Sequence, residues 1–130
     1  MTLVETLTAL VLLGVGLLAV APMFVHGMRD NTQSADFGLA GAIAVERMEL
    51  LREEPYDSPL LAAGGSLTSN VTAAGVNYFD NSDPEVIVRW LIESNSTPTN
   101  TKIITTRATR TRQVVGQAKR VTLTSMRGGP

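Results

Sequence analysis

From Thr6 to Val25 the chain carries no charged residue. The run, TLTALVLLGVGLLAVAPMFV, has the length of about 20 residues that a helix needs to cross the hydrocarbon core of a bilayer. A segment of this kind has to lie in lipid or be buried by protein. A secretory signal would set a basic stretch ahead of a shorter apolar core and a small-residue cleavage site. This chain opens instead on Met1-Thr2-Leu3-Val4-Glu5, which predicts a segment that is retained. With no Lys or Arg ahead of it, its orientation across a membrane is not set by the positive-inside rule from that side.

A length of 130 residues leaves room for one compact domain and one elongated element, which excludes a large multidomain enzyme. Cysteine is absent, so disulfides, thiolate metal sites and a cysteine nucleophile are excluded as well. The net charge of −1 hides a segregation of signs. All 12 acids lie between Glu5 and Glu93, against the four cations Arg29, Arg47, Arg52 and Arg89, a balance of −8. The remaining seven cations, Lys102, Arg107, Arg110, Arg112, Lys119, Arg120 and Arg127, follow with no acid among them. The C-terminal third is therefore a positively charged module.

Residues 1 to about 54 read as one helix, apolar all round over 1–25 and amphipathic over 26–54. Phe37, Gly41, Ala44, Met48 and Leu51 recur at spacings of three and four, which predicts one face packed on a sheet. Pro55 ends the helix, because the residue before a proline is pushed out of the α region. At 1.5 Å per residue such a helix runs to roughly 80 Å, so half of it is expected to project from so small a domain. Residues 55–130 form the globular region. The stretch from Ala62 to Gly75 reads as a small-residue loop. Glu85–Ile92, Lys102–Thr109 and Lys119–Met126 are rich in β-branched residues and read as strands, with turn chemistry at 94–100 and at Gly116, and Tyr78-Phe79 opens a further strand. The expected fold class is α+β, a long N-terminal helix on a small antiparallel sheet of three or four strands.

Glu5 stands against this apolar background. A carboxylate in a bilayer-spanning helix costs on the order of 2.5–3.5 kcal/mol at the centre and less near an interface. Two partners suit it: the lipid headgroups, if the helix is a single-pass anchor, or an α-amino group, whose pKa of about 7.7–8.0 keeps it largely charged at neutral pH. The amine of a neighbouring, axially shifted copy would register one subunit on another. The block Met1-Thr2-Leu3-Val4-Glu5 followed by an apolar helix resembles the mature N-terminus of type IV pilins and type II secretion pseudopilins, which usually read Phe-Thr-Leu-Ile/Val-Glu. Met1 stands where the commoner residue is Phe, and Pro22 falls where many pilins carry a helix-breaking proline. The run Leu10–Ala21 together with Val45–Arg52 is similar to the minor-pilin branch. The resemblance covers residues 1–54. It implies a leader removed by a prepilin peptidase, N-methylation at Met1, and assembly with copies of this chain and other pilins. It also implies an extension ATPase and a membrane platform. Gly14 and Gly16 each cost about 1 kcal/mol relative to Ala in a helix, and Pro22 removes the hydrogen bond to the Leu18 carbonyl. The segment from Gly14 to Pro22 is thus its weakest part: helical in lipid, and expected to unwind in a filament as resembling pilins do. Alternatively the glycines serve close helix approach.

Other candidates are weaker. Asp80, Asp83 and Glu85 offer oxygen ligands to a hard cation such as calcium, but the stretch lacks the length and glycine of an EF-hand loop, and Asx-turn chemistry explains it equally. No metal or cofactor is therefore assigned. His26, the single histidine, reads as an interfacial side chain. Arg107, Arg110, Arg112, Lys119 and Arg120 form a candidate basic face, directed at an acidic neighbour (Glu46, Glu49, Glu53, Glu54 and Asp57 of an adjacent subunit) or at DNA. No aromatic residue follows Trp90 to stack on bases, which favours the acidic neighbour. Asn70 and Asn95 begin glycosylation sequons. The expected function is that of a non-enzymatic structural subunit of a type IV pilus-like filament, held in the inner membrane by residues 1–25 before extraction to the cell exterior. A secretion pseudopilin is the first alternative and a membrane-tethered binding domain with a basic surface the second.

Overall fold

The computed structural model describes residues 2–95, 100–111 and 119–130. One helix, α1 (Leu3–Glu53), runs unbroken through Pro22 and stops two residues before Pro55, close to the expected boundary. Glu5 lies in its first turn and Arg52 in its last, each with the sign that the helix dipole favours. The chain divides into two compact units, Met1–Ala35 and Asp36–Pro130.

The described part of the first unit is helix from Leu3 onward. Its threonine and serine hydroxyls turn back on the helix itself: Thr8 Oγ1 donates to the Val4 carbonyl at 2.8 Å, and Thr32 and Ser34 donate to the carbonyls of Met28 and Asp30 at 3.0 Å. Polar groups on this surface thereby keep their hydrogen bonds without needing water.

The second unit places Asp36–Glu53 of α1 on an antiparallel sheet. Three long strands form a meander: β5 (Val86–Asn95), β6 (Thr101–Arg110) and β7 (Arg120–Gly128). Along the other edge of β5 two short strands pair one after the other: β1 (Gly64–Gly65) through Gly65 with Leu91, and β4 (Phe79–Asp80) through Phe79 with Arg89. A separate hairpin joins β2 (Thr72–Ala73) to β3 (Val76–Asn77) through Ala74 and Gly75, both at positive φ, as a tight two-residue turn of this class requires.

Strand periodicity sets the core. Val86, Val88, Trp90 and Ile92 of β5 are buried on one face, and the register brings Ala108, Thr106 and Ile104 of β6 beside the last three. From α1, Ala40, Ala44, Met48 and Leu51 are buried as well. Leu61, in a 3₁₀ turn over Pro59–Leu61, and Tyr78 complete the cluster. Gly65, at φ +93°, lies so close to the Trp90 carbonyl and the Tyr78 ring that a Cβ would collide with both. Only glycine fits there.

The α+β class holds, with three corrections. The packed helix face keeps Ala44, Met48 and Leu51 as expected but begins at Ala40, which is fully buried, whereas Phe37 is 45% exposed. Helical spacing places a residue on the stripe without fixing where along the stripe burial begins. The expected 62–75 loop contains two strands, since the pairing of Gly64–Gly65 is dictated by the β5 edge and the Tyr78 ring and not by β propensity. The β5 strand also runs on through Ser94 and Asn95, paired with Lys102 and Thr101, where a turn was expected.

The Thr106 hydroxyl is fully buried with no hydrogen-bond partner among the described residues. Valine has the same shape without the desolvated oxygen, so Thr106→Val is expected to stabilise this unit by about 1 kcal/mol. Urea unfolding of the detergent-solubilised chain, followed through Trp90 fluorescence, checks this; a lowered midpoint would count against an unsatisfied hydroxyl.

Candidate functional site

The first unit presents an apolar surface that its own chain leaves uncovered. Of the side chains from Thr2 to Ala35 only the Gly14 position is partly shielded; Leu3 is 77% exposed and Leu18 75%. The helix is long and apolar enough to cross a membrane, and by length and composition alone a signal sequence meets the same description. Glu5 is its one charged residue before Arg29. The Glu5 backbone N–H donates to the Thr2 carbonyl at 3.0 Å, while its carboxylate forms no ion pair among the described residues. Met1 lies outside the described residues.

Gly14 and Gly16 have nothing within 4 Å of the position a Cβ would take. Neither glycine is therefore required by packing within the chain, although each weakens the helix by about 1 kcal/mol relative to alanine. Pro22 interrupts the backbone ladder in the same segment without ending the helix. His26 is exposed on the same helix.

Among the described residues the three candidate cation ligands do not form a group that could hold a metal ion, and each is engaged by different partners. Asp80 accepts from the Ser82 backbone N–H at 2.9 Å and hydroxyl at 2.6 Å and forms an ion pair with Arg47. Asp83 accepts from the backbone N–H groups of Glu85 (2.7 Å) and Val86 (3.2 Å), an Asx turn that opens β5. Glu85 accepts from Arg110 at 2.7 Å. Arg47 also stacks over the Trp90 ring, 5.2 Å from its centroid, in a cleft lined in part by Leu50, Val76 and Phe79.

The five candidate basic residues do not share one face. Arg110 is largely buried and donates to Asp36 and Glu85, both at 2.7 Å, and Lys119 reaches the other Asp36 oxygen at 3.8 Å. The hydrogen bond that Arg110 donates to Glu85 first, and then the charge of Asp36, raise the Arg110 pKa above its ordinary value against the opposing effect of burial. Arg107 and Arg120 instead point from the opposite, outer face of the sheet, and Arg112 lies outside the described residues. Alternation explains the split: Arg107 is an odd position of β6 and Arg110 an even one. Asn70 accepts from Arg89 Nε at 2.8 Å. Asn95 is exposed at the end of β5, and Ser96 and Thr97 of its sequon lie outside the described residues.

Two contacts were not anticipated. Asp36 is the acid that gathers Arg110 and Lys119, and Arg127 of β7 donates to the carbonyls of Arg52, at 2.8 Å, and Glu54. The second satisfies helix-end groups that have no intrahelical partner. The segregation of charge in the sequence was the available signal for both. Comparison with protein-family models, with curated proteins and with solved structures finds no match to this chain.

Arg127→Met keeps most of the aliphatic stem and deletes the cap. Thermal or urea unfolding is expected to show a loss of about 1–2 kcal/mol, and hydrogen exchange to quicken at the last turn of α1. Unchanged protection of Met48–Glu53 would show that the helix end does not depend on the guanidinium.

Proposed function

We propose that this chain is a structural subunit of a type IV pilus-like filament, and that its mechanism is assembly and not catalysis. The observation that carries the reading is an uncovered apolar stretch of helix, Leu3 to Met28, in which the one charge, Glu5, lies in the first turn. Lipid around residues 1–25 covers that surface before assembly, and the same surface packs against neighbouring copies afterwards. In either environment the apolar side chains leave water, so transfer between them is a far smaller step than exposure.

Glu5 supplies the register. In a filament core the carboxylate would lie in a low dielectric, where an unpaired charge is costly and a partner is strongly preferred. The α-amino group of Met1 on a neighbouring copy, shifted along the axis, is the partner that the N-terminal block implies. Gly14, Gly16 and Pro22 then mark a stretch that can lengthen or locally unwind once neighbours surround it. The partners this reading carries are copies of the chain and other pilins, with a prepilin peptidase, an extension ATPase and a platform in the inner membrane. The site of action is an extracellular filament.

Replacement of Glu5 by Ala would leave the neighbour's amine buried and unpaired, at about 3–5 kcal/mol for each contact. Electron microscopy of surface filaments and quantitation of the sheared fraction are expected to show assembly largely lost in Glu5→Ala, with the melting of the Asp36–Pro130 unit unchanged. Full assembly of that variant would sink the reading and favour a monomeric membrane anchor with the acid at the headgroups.

A further inference from the structure

The ion pairs of the second unit consume several of its charges and leave two opposed sets. On the outer face of the sheet, Arg89 of β5 lies directly across from Arg107 of β6. Arg107 in turn lies opposite Thr122, two residues along β7 from Arg120. Each of the first two is held through Nε by a neutral acceptor, Asn70 Oδ1 at 2.8 Å and Thr122 Oγ1 at 3.2 Å, and no carboxylate pairs with any of the three among the described residues. Like charges directly opposite on a sheet are unfavourable, so this arrangement calls for an anionic partner.

The other layer carries the complement. At 3.6 residues per turn, Glu46, Glu49 and Glu53 lie on the side of α1 opposite Ala44 and Leu51, the residues that pack on the sheet. All three are exposed and unpaired among the described residues. The seven residue steps from Glu46 to Glu53 span about 10 Å along the helix. The three strands from Arg89 to Arg120 span about 10 Å across the sheet, at nearly 5 Å per strand. One two-layer unit therefore has an acidic outer side and an outer side on which three arginines outnumber one acid, Glu93 of β5, the two sets being of matching extent.

We infer that the outer face of the sheet docks on the acidic ridge of α1 in a second copy of this chain, through Arg89, Arg107 and Arg120 against Glu46, Glu49 and Glu53. The two patches are different surfaces, so the contact is heterologous: a docked pair still offers one free patch of each sign, one on each copy, and the association propagates instead of closing as a two-fold dimer. The inference rests on the filament reading and names the surface that would set the angular relation between the outer domains of successive subunits. Being formed by exposed and half-buried surface charges, the contact weakens as ionic strength rises.

Because the chain contains no cysteine, introduced thiols report the contact cleanly. Full-length chains carrying Ala42→Cys beside the acidic ridge, Thr124→Cys on the outer sheet face, or both, are assembled into filaments and treated with a short bismaleimide. A ladder of cross-linked oligomers from the double variant, with monomers from each single variant, is expected. Arg107→Glu and Glu49→Arg alone are each expected to lower assembly roughly tenfold, and their combination to restore it. Self-linking of either single-cysteine variant would show an isologous contact and overturn the inference. So would filaments that form normally yet give no ladder and tolerate both charge reversals, and that outcome would leave the filament reading standing. Absence of filaments from the unmodified chain in its own cell would remove both.

Discussion

The apolar surface from Leu3 to Met28 is the constraint to which everything else in this chain answers. Fifteen large hydrophobic side chains in this stretch are exposed, and burying each contributes about 1.5–3 kcal/mol, so their sum is on the order of tens of kcal/mol. A domain of this size is stable by only about 5–15 kcal/mol. No rearrangement within the second unit could compensate for leaving such a surface in water, so covering it is a condition of the protein's existence and not a refinement. Glu5 is informative for the same reason: within a surface selected to be apolar, a single carboxylate in the first turn is the one group whose environment has to be specified.

The second unit reads as the answer to a related problem, how to hold the end of a long helix on a small sheet. On the helix, Met48 and Leu51 supply the bulk of the apolar burial, and Ala40 and Ala44 add little. Polar contacts act at both ends of the packed segment. Near its start, Asp36 receives Arg110 and Lys119; at its end, the Arg52 and Glu54 carbonyls receive Arg127, and Lys102 donates to the Tyr56 carbonyl at 2.6 Å. Between them Arg47 joins Asp80 and the Trp90 ring. Arg127, Lys102 and Arg110 all sit at inward-facing positions of β6 or β7, so strand alternation aims them at the helix. The basic C-terminal third is thus in large part a set of clamps on the acidic N-terminal two-thirds.

The long elements were legible in the sequence because their signals are local. Charge-free length marked the first half of α1, Pro55 marked its end, and β-branched alternation marked β5, β6 and β7. The short strands were not legible. Gly64–Gly65 has no strand propensity, and its pairing follows from the Tyr78 ring and the Trp90 carbonyl, groups that come together only in the finished fold. Phe37 looked like core because it is large and correctly spaced, yet helical spacing fixes only the stripe, and burial along it begins at Ala40. The candidate basic face failed for a geometric reason: the two-residue period of a strand sends Arg107 and Arg110 to opposite sides, and the presence of Asp36 beside Arg110 depends on contacts 74 residues apart.

Arg89 and Arg107 bear on why that division of charges matters. Cross-strand repulsion between them works against the fold, and Thr or Gln at either position would relieve it without disturbing the inner face. On the inner face every described cation has a structural partner, so no comparable conflict arises there. Local conflicts of this kind, set in an otherwise consistent structure, mark surfaces shaped by something outside the folded unit. The uncovered helix and the opposed arginines are two such places, and under the proposed filament reading both would be relieved by the same event, the arrival of another copy of the chain.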